Sequence, residues 1–251
     1  MTFIEGVAQN DEVRVRYLDA PGDGGDALPV VIVPGLSEPA EEYTELMGRL
    51  SSRRCVAISL RGRGRSDAPA SGYTLDDHAG DVLAVVHHAT LPRCVLVAFS
   101  RGVPYAIRCA SKEPERVAGL VLGDYAAIHT RLPEQWTARF LPSSWRGTPV
   151  AERVPAVVVE AIQRESAQVP LWDELGSIGC PVLVVGGRSG GLLTDEDVEQ
   201  YRCVGIVDLR IAWLDSGHDL LAPDETAFVD MLGGFLHDIE RPERPSPGSR
   251  D

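Results

Sequence analysis

The sequence predicts an α/β fold, a mostly parallel sheet with helices on its faces. Three observations carry this. Short continuous apolar runs, such as Pro29-Val30-Val31-Ile32-Val33 and Cys55-Val56-Ala57-Ile58-Ser59-Leu60, read as strands buried on both faces. Helical patterns alternate with these runs at the spacing of βαβ crossovers. A chain of 251 residues with 44% apolar content is also long enough to bury one substantial core.

Taken in order, Val13-Arg14-Val15-Arg16-Tyr17-Leu18 alternates after the turn signal Asn10-Asp11, half of a hairpin that starts near Phe3. The run 29–33 stops at Pro34-Gly35. A helix is expected over about 39–51, followed by the run 55–60 and an Arg/Gly loop. Thr74-Leu75-Asp76-Asp77 opens a helix to about His88, with Thr74 and Asp77 as a capping pair. A strand 93–99, a helix 103–111 and a strand 117–123 complete the first half. From Tyr125 to Gly179 the rhythm breaks, with Pro133, Pro142, Pro149, Pro155 and Pro170 and no buried-strand run, which predicts a small helical insertion. It resumes with a strand 181–186, a helix 194–202, a strand 208–214 and a last helix 223–239. The core is therefore assigned to 1–124 and 180–240, the insertion to 125–179, and a disordered Pro/Ser/Arg tail to 241–251.

A net charge of −13 disfavours nucleic acid and anionic membrane surfaces as partners. No run of 18 apolar residues is present, and the N-terminus lacks a basic region followed by an apolar one, so neither a membrane span nor a signal peptide is expected. Cys55, Cys94, Cys109, Cys180 and Cys203 lack C-x-x-C spacing and read as buried thiols of a cytoplasmic protein. No metal site and no cofactor are expected. His87, His88 and His129 read as surface or insertion residues, and Arg61 to Ser66 lacks the glycine spacing of a phosphate loop.

The chemistry centres on Val95-Leu96-Val97-Ala98-Phe99-Ser100-Arg101-Gly102-Val103, where a strand-like run ends in a Ser and a helical pattern begins. A sharp strand-to-helix turn of this kind exposes a Ser hydroxyl. His218, in Leu214-Asp215-Ser216-Gly217-His218-Asp219, follows the last strand. Functional groups of a parallel sheet gather at the carboxyl ends of its strands. A Ser and a His at two such ends form the pair that nucleophilic catalysis needs, since the imidazole can take the hydroxyl proton.

Four segments in this order resemble the α/β-hydrolase family over nearly the whole chain. They are Val31-Ile32-Val33-Pro34-Gly35; Arg61-Gly62-Arg63-Gly64-Arg65-Ser66, similar to D-x-R-G-x-G-x-S with Ser59 at the usual Asp; the A-x-S-x-G elbow at Ser100; and Ser216-Gly217-His218. The resemblance implies an eight-stranded, mostly parallel sheet with a helical cap. It implies Ser100 as nucleophile, His218 as general base, and the backbone N–H groups of Leu36 and Arg101 as oxyanion donors. The usual acid position after the strand 182–185 reads Gly187-Arg188-Ser189-Gly190-Gly191-Leu192, without a carboxylate. Asp124, directly after the strand 117–123, is the favoured acid, a placement similar to polyketide-type thioesterases. Asp195 and Asp197 fit a helix start better, and the remaining alternative is that no acid works. Trp136, Phe140, Trp145 and Trp172 form either the core of the insertion or a pocket wall. Pro34, Tyr125, Trp136, Phe140 and Trp145 are the pocket candidates, for an apolar or aromatic small molecule. The expected activity is cofactor-independent hydrolysis of a carboxylic ester, thioester or lactone. Its rivals are a lyase, cyclase or other tailoring enzyme using His218 as base, and a ligand-binding protein with little turnover.

Overall fold

The alternating hairpin opens the chain as strands β1 (Ile4–Asn10) and β2 (Val13–Ala20), with Asp11 at φ 51° in the turn. The apolar runs follow as β3 (Val30–Val33), β4 (Cys55–Ser59), β5 (Cys94–Phe99), β6 (Val117–Gly123) and β7 (Val182–Gly187), every residue of which is buried. The last strand is β8 (Leu209–Leu214). These spans come from a computed structural model that describes residues 2–223 and 225–241. The expected tail therefore lies, from position 242 on, outside the described residues.

The eight strands form one sheet in the order β1-β2-β4-β3-β5-β6-β7-β8. Only β1/β2 and β2/β4 pair antiparallel; the rest of the sheet is parallel. Two hydrophobic layers enclose it. One packs helices α2 (Leu75–His88) and α3 (Gly102–Lys112) against residues such as Leu96, Leu120 and Val184. The other packs α1 (Thr44–Arg49) and the C-terminal helix 226–240 against Val95, Val97 and Val121. Alternate residues of one strand thus serve opposite layers, as the period of two requires. The Thr74/Asp77 capping box opens α2: the Thr74 side chain accepts from the Asp77 amide while the Asp77 side chain accepts from the Thr74 amide.

The insertion holds α4 (Trp136–Phe140), α5 (Val150–Arg153) and α6 (Ala156–Glu165), which share a small core of Val154, Val158, Val159 and Ile162 with Tyr73 of the main body. It also contains two short pairings that the sequence did not signal, Ile128–His129 with Val169–Pro170 and Ser144–Trp145 with Thr148–Pro149. Two-residue ladders are too short to leave an alternation pattern. Helix α7 (Trp172–Ser177) leaves the insertion altogether: Leu171, Leu175 and Ile178 sit in the main core, and Trp172 meets Tyr201 edge-on at 5.0 Å. Trp172 is thus a core residue and not part of a pocket wall. Helix α8 (Asp195–Cys203) begins with a second capping box, Thr194 with Asp197, so Asp195 and Asp197 serve a helix start as expected. Cys203 is exposed at its end, unlike the four other thiols, because it falls on the solvent side of α8. Among the described residues no helix is long and apolar enough to cross a membrane.

Candidate active site

At the end of β5 the chain turns into α3 through Ser100, whose φ is 50°. A non-Gly residue in the left-handed region is strained, and such strain persists only where the surroundings fix it. Here the Ser100 amide donates to the Gly123 carbonyl at 2.8 Å and its own carbonyl accepts from Val103 at 2.9 Å. Gly102 is obligatory for the same turn, since a Cβ there would lie 2.5 Å from the Pro34 carbonyl oxygen and 2.6 Å from that of Val33. The elbow and the Pro34-Gly35 turn therefore press directly on one another.

Asp124 is the residue after β6 and the second strained position, at φ 48°. Its amide donates to the Val185 carbonyl at 2.7 Å. Its carboxylate is fully buried and accepts from the backbone of Gly187 (3.1 Å), Leu192 (2.7 Å) and Leu193 (3.3 Å). The loop that follows β7 thus wraps its amides around a carboxylate from the neighbouring strand. Gly191 makes room for this, because a Cβ would stand 2.5 Å from Asp124 Oδ1.

His218 completes the line. Its Nδ1–H donates to Asp124 Oδ2 at 2.7 Å, which leaves Nε2 to accept from the Ser100 hydroxyl at 2.9 Å. Burial pushes the Asp124 carboxyl up, but the hydrogen bonds from His218 and from the Leu192 and Gly187 amides outweigh it and hold the group below its ordinary value. Ser100, His218 and Asp124 are thus brought together, as a proton-transfer chain requires.

A chamber of about 90 Å³ opens beside Ser100 and His218, lined by Leu36, Ser37, Glu38, Phe140, Ser143, Ser144, Trp145 and Val150. Neither the Leu36 nor the Arg101 amide has an acceptor among the described residues. Of the five pocket candidates, Phe140 and Trp145 line the chamber and three do not. Pro34 is buried against Gly102. Tyr125 turns to the main core, its hydroxyl bonded to Thr130 Oγ1 at 2.7 Å and its carbonyl accepting from Tyr201 at 2.8 Å. Trp136 stacks on Phe140 at 4.4 Å and faces the core of the insertion. Aromatic composition alone does not say which face a ring will take.

Sequence reasoning missed Glu38, a buried carboxyl on the chamber wall. It accepts from the Ser37 amide at 3.3 Å, and burial raises it above the usual carboxylate range. It also missed Arg146, at the tip of the 144–149 hairpin, which grips Asp219 beside His218 with two bonds of 2.7 Å. His129, expected at the surface or in the insertion, belongs to the insertion but is fully buried beneath Arg101. Among the described residues no group of three His, Cys, Asp or Glu side chains is placed to hold a metal ion.

A sequence profile of the alpha/beta hydrolase fold matches residues 29–178. The chain belongs to the α/β-hydrolase family. Among curated relatives, this α/β-hydrolase is 26% identical to an N-formylmaleamate deformylase of Pseudomonas putida over 94% of its own length and 97% of the relative's. It is 32% identical to a 2-(acetamidomethylene)succinate hydrolase of Mesorhizobium japonicum over 36% of its length. The matched stretches span 33–38% of the first curated relatives. Among solved structures, the esterase RhEst1 of Rhodococcus sp. ECU1013 superposes with a TM-score of 0.79 at 21% identity, covering 95% of this chain and all of that one, a likeness of fold. Hydrolytic enzymes thus recur among its relatives.

Proposed function

We propose that this α/β-hydrolase is a cofactor-independent serine hydrolase that cleaves a small carboxylic ester, thioester or lactone. The observation that supports this reading most directly is the unbroken hydrogen-bond chain from Asp124 through His218 to Ser100. In the first step Ser100 Oγ attacks the substrate carbonyl carbon as its proton passes to His218 Nε2, and Asp124 stabilises the imidazolium. The negative charge that develops on the carbonyl oxygen meets the Leu36 and Arg101 amides, and one such donor is worth about 2.7–4 kcal/mol. Collapse expels the alkoxide or thiolate, which takes the proton from His218. Water then repeats the sequence on the acyl-Ser100 ester and releases the acid.

The 90 Å³ chamber favours a short acyl group, with Leu36, Phe140, Trp145 and Val150 against its apolar part. Trp145 also lines a larger cleft of about 730 Å³, which suits the leaving portion. The full-length likeness to an N-formylmaleamate deformylase adds short N-acyl amides to the substrates to be tried.

Treatment with a fluorophosphonate probe tests the reading. Ser100 should label rapidly; Ser100→Ala should not label, and His218→Ala should label more slowly by several orders of magnitude. Asp124→Asn should lower kcat on an activated ester by about 10⁴-fold. An unlabelled wild-type protein would overturn the serine-hydrolase reading, and an Asp124→Asn variant with native kcat would remove Asp124 from it.

A further inference from the structure

Two arginines lie inside the protein with no carboxylate ion-paired to them among the described residues: Arg63, which bonds the carbonyl of Leu36, and Arg101, the residue that follows Ser100. Arg63 has no exposed surface; its Nε–H donates to the Leu36 carbonyl at 2.8 Å, and its Nη1 donates to the Arg61 carbonyl at 2.6 Å and to His78 Nε2 at 2.9 Å. Arg101 is 3% exposed; its Nη2 donates to His129 Nε2 at 2.9 Å, and both Nη groups reach the Thr130 carbonyl at 3.1–3.2 Å. Arg63 Nη2 and Arg101 Nε have no acceptor among the described residues. The neighbouring Arg61 differs, since it is paired through two bonds with the buried Asp81.

The same device is used twice. Each imidazole gives its Nδ1–H to a backbone carbonyl, His78 to Thr74 at 2.8 Å and His129 to Ala167 at 2.9 Å, which leaves Nε2 as a neutral acceptor. Burial and the adjacent guanidinium hold His78 well below its ordinary value and push His129 down to about 4. The ring of Tyr105 connects the two pairs, stacked on His78 at 4.5 Å and 6.1 Å from His129. A neutral imidazole satisfies a guanidinium donor without cancelling its charge. Two buried cations are costly to keep unless an anion forms nearby, and polar groups left unpaired in a native interior call for a reason.

We infer that Arg63 and Arg101 form a positively charged floor beneath the oxyanion site and stabilise the anion that develops on the substrate carbonyl, an inference that rests on the hydrolase reading above. They are positioning residues: Arg63 bonds the Leu36 carbonyl, Arg101 bonds His129 and Thr130, and neither lines the chamber beside Ser100. Fixed charge in a low-dielectric setting stabilises a developing anion with no reorganisation at the moment of reaction.

The test measures p-nitrophenyl acetate hydrolysis and phenylboronic acid inhibition in R63Q, R101Q, R63K and R101K. Boronic acids form a tetrahedral anion on the nucleophile, so their affinity reports the field at the oxyanion. The Gln variants keep a donor and lose the charge; their kcat should fall about 10-fold or more at nearly constant KM, with a parallel loss of boronate affinity, and Lys should restore part of both. Gln variants with native kcat and boronate affinity would overturn the inference, even if their Tm fell. If a Gln variant does not fold, H129E decides: it supplies the missing carboxylate to Arg101, and kcat should drop while Tm holds or rises. Native kcat in folded H129E would overturn the charge argument. Fluorophosphonate labelling of wild-type Ser100 is run alongside, so that failure of the hydrolase reading is distinguishable from failure of this one.

Discussion

At the scale of single residues, Glu38 has the clearest measurable consequence. It lines the chamber with Ser100, and a Gly35 Cβ would lie 2.8 Å from its Oε2 and 3.3 Å from Ser100 Cβ. Burial raises its pKa, while Arg146 and His218 counter this only in part. An ionised Glu38 would oppose an anion forming beside it. The neutral form should therefore be the active one, so kcat/KM should decline as pH rises through the raised pKa of Glu38. In Glu38→Gln this decline should disappear, a difference read directly from the two pH profiles. The role of Glu38 was not visible in the sequence, where the resemblance marks only the Leu36 amide in this loop. Asp124, by contrast, could be found from sequence, because it directly follows β6 and strand order brings that end beside the end of β5.

Elements carry a different kind of coupling. The 144–149 hairpin reaches from the insertion to the loop of His218: Trp145 meets the His218 ring edge-on at 5.8 Å, and Arg146 holds Asp219 while also facing Glu42 at 3.6 Å. Arg153 of α5 bonds the same Glu42. The Arg146–Asp219 pair is partly buried, so its loss should cost about 1–2 kcal/mol, between the exposed and fully buried limits. Arg146→Ala should raise KM several-fold and lower kcat less, as the hairpin loosens over the chamber, and added salt should move the wild-type KM toward the variant's. Steady-state kinetics across a salt series would check both. The capping box of α2, the acidic start of α8 and the strands β3 to β7 were legible because propensity, capping and apolar runs are local in sequence. The two-residue pairing that creates this hairpin was not, since it depends on what the insertion packs against.

For the whole molecule, the two buried neutral imidazoles link folding to pH. His78 and His129 have folded-state pKa values below the ordinary 6.5, that of His129 at about 4. Between those values the unfolded chain binds protons that the native state excludes, so stability rises with pH there. Their contribution is present above about pH 6.5 and is lost as pH falls toward 4, at up to about 1.4 kcal/mol per pH unit for each group. Glu38, with a raised pKa, works against this trend above the usual carboxylate range. Urea unfolding should accordingly show a lower midpoint at pH 5 than at pH 7.5, and His129→Gln should flatten that difference. The fold class was accessible from the chain because alternating buried runs leave few arrangements open. The buried polar layer under the elbow was not, because Arg63, His78 and His129 come from three separate segments and only the closed sheet brings them together.

The loop from Gly187 to Leu193 meets Asp124 through its backbone alone. An amide is supplied by every residue but proline, so the cradle is indifferent to the side chains at 188, 189 and 192, and only the missing Cβ of Gly191 is demanded of this stretch by the acid. The side chains at these three positions can thus be exchanged while the Asp124–His218 hydrogen bond is left intact.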